Sequence, residues 1–328
     1  MSMHLWVSRT LLVGFCFAAS VGCDADDGFV DEDEAVSLRP GSGWCSHCTI
    51  IYGNAATIND ADLSDIHLDE ISTGGVKLRE GSSYKGRAFR LDIDPGTDRF
   101  IGMSVANPAV VEIQGAQFVG SKVLLEMPGA VFIDLEFTDY AEGVPSWAAH
   151  GAPITAYRAR YLGPQQVYQP LCPSTDPDNQ WFTLIPGEIY TPTVTSSPRS
   201  VTIACVGEAA AKMKLLDFHP QGQRRASHGE RQATLRMITA DYCGKGESFT
   251  VTGTPVAWRD NLDRVAPPNG EDVLEALWDE HGAICLDTPR VVAREEVDAK
   301  CWIPTCDGDE SFRDGAVWRT MLPLGADD

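Results

Sequence analysis

The sequence predicts a mainly β chain of α+β class. An antiparallel, β-rich middle domain is followed by a β-sheet domain with two or three short helices, the whole stapled by disulfides. Three observations predict this. Apolar and polar residues alternate with a period of two between Gly86 and Tyr161, apolar residues recur at helical spacing in segments after Cys205, and the cysteines expected in the mature chain are even in number. At 328 residues, with 43% hydrophobic and 22% charged side chains, the chain is long enough to bury a substantial core and is not of disordered composition.

Taken in order, residues 10–22 form an uncharged run that follows Arg9 and ends in small residues. A bilayer crossing needs about 20 apolar residues, so this shorter run reads as the hydrophobic part of an export signal over residues 1–22. Ser20-Val21-Gly22-Cys23 resembles the lipobox of bacterial lipoproteins, although Ser20 stands where a larger apolar residue is usual. That resemblance implies cleavage before Cys23, acylation of its thiol, and a membrane contact through the attached lipid. Residues 24–34 then hold seven acidic positions and read as a self-repelling tether completing the 23–43 segment.

Residues 44–83 open with Cys45-Ser46-His47-Cys48. This spacing suits a structural disulfide, a redox pair or half a metal site. The β-branched, turn-rich sequence after it favours the disulfide over a motif that opens a helix. From 54 to 78 a period of five pairs Ala56 with Ile58, Ala61 with Leu63, Ile66 with Leu68, Ile71 with Thr73 and Val76 with Leu78. The pattern resembles pentapeptide repeats, and ordinary short strands account for it equally; in either case so short a segment needs a neighbouring domain to bury its apolar side.

The β-rich domain, 84–164, follows. Phe89, Leu91 and Ile93 form one alternating set, Val131, Ile133, Leu135 and Phe137 a second, and Tyr157, Ala159 and Tyr161 a third. Turns fall at Asp94-Pro95-Gly96 and Met127-Pro128-Gly129, as expected of an antiparallel sandwich or barrel. A Pro-rich stretch, 163–177, marks the passage to the last region, 165–328. Strands are expected at Trp181–Ile185 and Val201–Cys205, and helices over Glu208–Phe218, over Gly229–Thr239, and from an Asn269 cap to Gly282. The segment from Thr239 to Gly246 closes the second helix, and an alternating strand is expected from Ser248 to Pro255.

Ala240-Asp241-Tyr242-Cys243 matches the signature of the bacterial ADYC domain family. Val201-Thr202-Ile203-Ala204-Cys205, Ala211-Lys212, Arg236-Met237 and Gly282-Ala283-Ile284-Cys285-Leu286 resemble the family in order and spacing, over about residues 165–328. Met213 and Thr234 stand where the family usually has two cysteines, which suggests that those two would have bonded each other. The resemblance implies an envelope-associated bacterial protein and carries over no established activity.

Setting aside Cys16 with the signal and Cys23 with the lipid leaves Cys45, Cys48, Cys172, Cys205, Cys243, Cys285, Cys301 and Cys306, read as up to four disulfides of an oxidising compartment. Cys285 is the expected partner of Cys243. A thiol enzyme is the alternative, with Cys243 as nucleophile, His219 or His228 as base and Asp241 as orienting group, or with Cys45 and Cys48 as a redox pair. A cysteine at the negative end of a helix is poorly placed for that chemistry. The sequence has no Gly-x-Ser-x-Gly, His-Glu-x-x-His or Walker A run, so no catalytic residue, metal or cofactor is expected. Asp92, Asp94 and Asp98 read as an acidic hairpin before a Ca²⁺ site, and Asp307–Ser311 as a solvated loop. His67, His150 and His281 stand alone. The formal net charge is −21, and −22 without the segment that carries Arg9; this argues against a nucleic-acid partner. No protein or glycan partner is identified. The expectation is therefore an exported, lipid-anchored, non-enzymatic binding or structural module.

Overall fold

A computed structural model describes residues 55–323 except 59–60, 69–75, 79–81, 95, 130, 164, 175–179, 252, 266–271, 307–311 and 313–314. The expectations placed on 1–54, including the signal, Cys23, the tether, Cys45 and Cys48, lie outside these residues, as do the Asn269 cap and Asp307–Ser311.

Short strands come first: β1 (Thr57–Ile58), β2 (Ala61–Asp62), β3 (Ile66–His67), β4 (Val76–Leu78) and β5 (Ser82–Tyr84). Longer ones follow, namely β6 (Arg87–Asp94), β7 (Arg99–Ser104), β8 (Val111–Gln114), β9 (Lys122–Met127), β10 (Val131–Val144), β11 (Ile154–Leu162), β12 (Tyr168–Pro170), β13 (Phe182–Tyr190) and β14 (Val194–Cys205). Helices α1 (Ala209–Leu215) and α2 (His228–Thr239) precede β15 (Ala257–Asp260), β16 (Asp272–Asp279) and β17 (Gly282–Leu286), and α3 (Arg294–Asp298) precedes β18 (Trp318–Pro323).

The order β10-β11-β13-β14-β3-β4-β9 closes on itself, because β9 also pairs with β10, with Leu135 opposite Val123. The result is a β-barrel, antiparallel except where β3 runs parallel to β4. From β9 the sheet continues outward through β5, β6, β7 and β8. Alternation places Leu125, Ile133, Leu135, Phe137, Tyr157, Phe182, Leu184, Val201 and Ile203 in one core. Phe100, Phe118, Phe137 and Tyr157 meet there edge-on or tilted, with centroids 5.4–6.2 Å apart.

Residues of the five-residue period enter the same core: Ala56, Ile58, Leu63, Ile66, Val76 and Leu78 are buried in it. Ile66, Val76 and Leu78 sit on β3 and β4 of the barrel, which pair Ile66 with Val76; Ile58 is on β1, in a separate two-stranded sheet with β2, and Ala56 and Leu63 flank those two strands. The neighbouring domain supplies the burial that so short a segment needs.

Strands β13 and β14 explain how the two regions join. Phe182, Leu184, Val201 and Ile203 face the barrel core, whereas Ile185 and Ala204 face a second core shared with α1, α2 and a four-stranded sheet of order β15-β18-β16-β17. Both faces are covered where Phe182–Ile185 pairs with Thr202–Cys205, and there apolar residues point both ways. The barrel thus takes staves from both sides of the 164/165 division.

Two expected elements are different. The segment expected as a third helix is strand β16, paired with β17 and β18. Leu274 and Leu277 lie in a core on one face of its sheet, and Ala276 and Trp278 in the core on the other. Register shifts between Leu274 and Ala276 and between Leu277 and Trp278 disturb the period of two, which leaves a spacing that imitates a helix. The third helix is α3 instead. The strand expected at Ser248–Pro255 is not formed by its described residues; Phe249 turns in to pack on Tyr242, 5.6 Å between centroids.

Candidate functional site

Helix α2 delivers the signature. It begins with a capping box, in which the Glu230 amide donates to Ser227 Oγ and the Ser227 amide to Glu230 Oε2, and it ends at Ala240, whose φ of 51° is left-handed. Alanine lacks the freedom of glycine there, but its small, fully buried side chain fits. The chain turns at once. Asp241 Oδ1 accepts from the Lys245 amide at 3.0 Å and Oδ2 from the Gly246 amide at 2.8 Å, folding the loop that follows. Gly244, with φ 65°, lets that loop meet His281: a Cβ there would lie 1.8 Å from the His281 carbonyl oxygen.

Tyr242 is the buried centre. Its ring stacks on Trp278 at 5.2 Å, its hydroxyl donates to Glu275 Oε1 at 2.6 Å, and the same hydroxyl accepts from the Arg290 amide at 2.9 Å. Arg290 Nε donates to Glu275 Oε1 at 2.7 Å, while Nη1 and Nη2 donate to the Ile238 and Met237 carbonyls at 3.2 and 2.6 Å. A buried cation therefore neutralises Glu275 and caps the negative end of α2 in one stroke. Burial, and next the Glu275 charge, hold the Tyr242 phenol well above its usual range, so it remains a proton donor within this network.

A second buried group joins the β6–β7 hairpin to α1. Asp98, at φ 52°, places Oδ2 3.4 Å from Lys214 Nζ and 3.7 Å from His219 Nε2, and Lys214 Nζ donates to the Leu184 carbonyl at 2.5 Å. Nearby, Glu188 accepts from Arg231 and from the Tyr190 hydroxyl, both at 2.8 Å. Burial pushes Asp98 up against the opposing pull of Lys214, and it holds His219 well below its usual range. His219 is thus a neutral core residue. Glu208, at the start of α1, accepts from the Cys205 amide at 2.6 Å, yet burial raises its carboxyl to about 8.

The disulfides differ from expectation in one pairing. Cys172 bonds Cys205, Cys243 bonds Cys301 and Cys285 bonds Cys306, with Cα atoms 5.0–5.7 Å apart. Cys285 is therefore not the partner of Cys243. It faces away from the signature, into the core on the far side of the four-stranded sheet. Met213 and Thr234 are both fully buried, on α1 and α2, and Thr234 Oγ1 accepts from Trp318 Nε1 at 2.8 Å.

Other candidate residues are dispersed. Asp94 accepts from the Gly96 amide and the Thr97 hydroxyl, Asp92 accepts from the Ile93 amide, and Asp98 turns to Lys214, so the three carboxylates do not converge. Among the described residues no group of three His, Cys, Asp or Glu side chains is placed to hold a metal ion. His67 lies 3.1 Å from Asp65, and His281 is largely exposed. Sequence reasoning missed Glu275 and Arg290. Glu275 had left a signal, as the lone charge inside Val273-Leu274-Glu275-Ala276-Leu277-Trp278; Arg290 left none.

The family model of the ADYC domain matches residues 115–292, more than half of the chain. The chain belongs to the ADYC domain family. The match starts within the barrel, earlier than the resemblance indicated, and it contains Cys172, Cys205, Cys243 and Cys285; Cys301 and Cys306 follow it. No curated protein and no solved structure matches the chain. Each residue of the ADYC signature has a structural contact: alanine ends the helix, aspartate folds the loop, tyrosine ties the helix to the sheet and cysteine bonds Cys301.

Proposed function

We propose that this ADYC domain protein is exported, held on the cell envelope by lipid on Cys23, and acts as a non-enzymatic binding or structural module. The observation that carries the reading is the engagement of Cys243: it is bonded to Cys301, and Asp241 and Tyr242 beside it are committed to backbone and core contacts. Disulfides persist in oxidising compartments, which agrees with an export segment and with the even cysteine number left once Cys23 is acylated. No helix among the described residues is long and apolar enough to cross a membrane, and the proposed attachment is through the lipid on Cys23. The strongly negative chain disfavours a nucleic-acid partner.

The test is to purify the protein from the envelope fraction, block free thiols without reductant, and map every cysteine by mass spectrometry. An acylated Cys23 with all other mature cysteines in disulfides is the expected result. Alkylated Cys243, or an easily reduced Cys45/Cys48 pair, would transfer support to a thiol enzyme; a mature N-terminus other than lipidated Cys23 would remove the anchor.

A further inference from the structure

The disulfides are not equally placed. Cys172, Cys205, Cys285 and Cys306 are between 0 and 6% exposed, within apolar cores. Cys243 and Cys301 are both only partly buried, at the edge of the core around α2. The residue after Cys301, Trp302, is 80% exposed, so the chain at this bridge runs at the surface. Thiol–disulfide exchange needs an attacking thiolate to reach a sulfur along the bond axis, and access therefore separates this bridge from the other two.

The consequence of breaking it is also local. The segment from 286 to 306 has its own anchors: the Cys285–Cys306 bond, the Leu286 amide donating to the Pro304 carbonyl at 2.9 Å, and the Cys306 amide donating to Asp287 at 2.7 Å. Arg294 adds hydrogen bonds to the Leu286 and Ile303 carbonyls, and Val297 and Ile303 are buried. The Tyr242–Glu275–Arg290 network and the apolar packing of α2 on the sheet also tie these elements together. None of these contacts is made through the Cys243–Cys301 bond.

We infer that Cys243–Cys301 is a redox-exchangeable bridge, a modification site for a dithiol reductant that acts on the folded protein. One thiolate of the dithiol attacks a bridge sulfur and forms a mixed disulfide; the second thiol displaces it. Two electrons and two protons pass to Cys243 and Cys301, which become thiols, and the reductant becomes a disulfide. The product carries a free thiol in the family signature and an α3 end untied from it. This goes beyond the proposed function, which concerns the resting, oxidised state.

Dithiothreitol is the probe. The purified protein, first blocked for any resting thiol, is exposed to it under native conditions, quenched at intervals with a mass-tagged alkylating reagent, and mapped. Cys243 and Cys301 are expected to be labelled together, at least tenfold faster than the other four described cysteines, with far-UV circular dichroism and elution volume unchanged. Labelling of Cys172–Cys205 or Cys285–Cys306 at an equal or greater rate overturns the inference, as does loss of the native spectrum when the first bridge opens. A thiol found on Cys243 before reductant is added would instead count against the proposed function. In parallel, the Cys243→Ser, Cys301→Ser double variant is expected to export and fold with its remaining bridges intact; failure to do so while single-bridge reduction leaves wild type folded would place the bond's role in folding and overturn its use as a switch.

Discussion

The barrel and the helix-bearing C-terminal region use the same ion-pair chemistry in opposite ways. On the barrel, Arg160–Glu136 at 2.8 Å, Arg99–Glu142 at 2.6 Å and Arg158–Asp139 at 3.8 Å lie on the outer surface with one or both partners in solvent, and the interior is aromatic and aliphatic. Around α1 and α2, Arg290–Glu275, Arg224–Asp260, Arg231–Glu188 and Lys214–Asp98 have at least one partner within 3% of full burial. Exposed pairs contribute about 0 to 1 kcal/mol because water screens them; a buried pair adds little over an apolar replacement, but removing one partner strands a charge. The difference teaches that the barrel keeps its charges outside an apolar core, whereas the other region builds buried ion pairs into its apolar core.

The sharpest way to break this contrast is Glu275→Ala. It strands Arg290 and leaves the Tyr242 hydroxyl without its acceptor, so stability should fall by about 3 to 5 kcal/mol, read from the midpoint of urea unfolding. A loss near zero would mean that the network is not the lock between α2 and the sheet.

Next in size is a dependence on pH. Glu208 titrates near 8 when folded, against 4.5 as the ordinary value. Between these values the folded chain keeps a proton that the unfolded chain has released, so this group's contribution is complete below about 4.5 and is lost as pH rises toward 8. Wild type should therefore lose stability relative to Glu208→Gln on going from pH 5 to pH 8, on the order of 2 to 4 kcal/mol. Parallel stability curves for the two proteins would show that Glu208 is already ionised at pH 5.

The smallest expected effect completes the comparison. Glu136→Ala removes the partner of Arg160, which is 44% exposed, and should change stability by no more than about 1 kcal/mol, less in high salt. A loss as large as that of Glu275→Ala would erase the distinction between the two regions.

Much of the barrel was legible beforehand. Ile133, Leu135, Phe137 and Tyr157 of the barrel, and Phe89, Leu91 and Ile93 of its outward extension, alternate in sequence and are buried, whereas Val131 at the start of β10 is 51% exposed; a half-exposed strand writes its geometry directly into a period of two. Helices α1 and α2 were equally visible, and Val201–Cys205, the end of β14, was found because Val201, Ile203 and Cys205 keep a period of two. Strand β16 was not, because bulges and two covered faces removed its period. Of the signature network, Tyr242 and Asp241 were conspicuous as a motif, while Glu275 and Arg290 gained their meaning only from the Tyr242 hydroxyl, 33 residues from Glu275 and 48 from Arg290.

By itself the sequence determined the class of fold, most of the local elements, the family, and the expectation that its cysteines pair. These are properties of neighbouring residues, of composition or of parity. Tertiary structure decided that β3 meets β14 and β4 meets β9, which closes the barrel, that Cys243 bonds Cys301 and not Cys285, and which carboxylates are buried with which cations. Each of those choices joins residues distant along the chain through packing. Packing is settled by the whole core at once, so no local pattern records it.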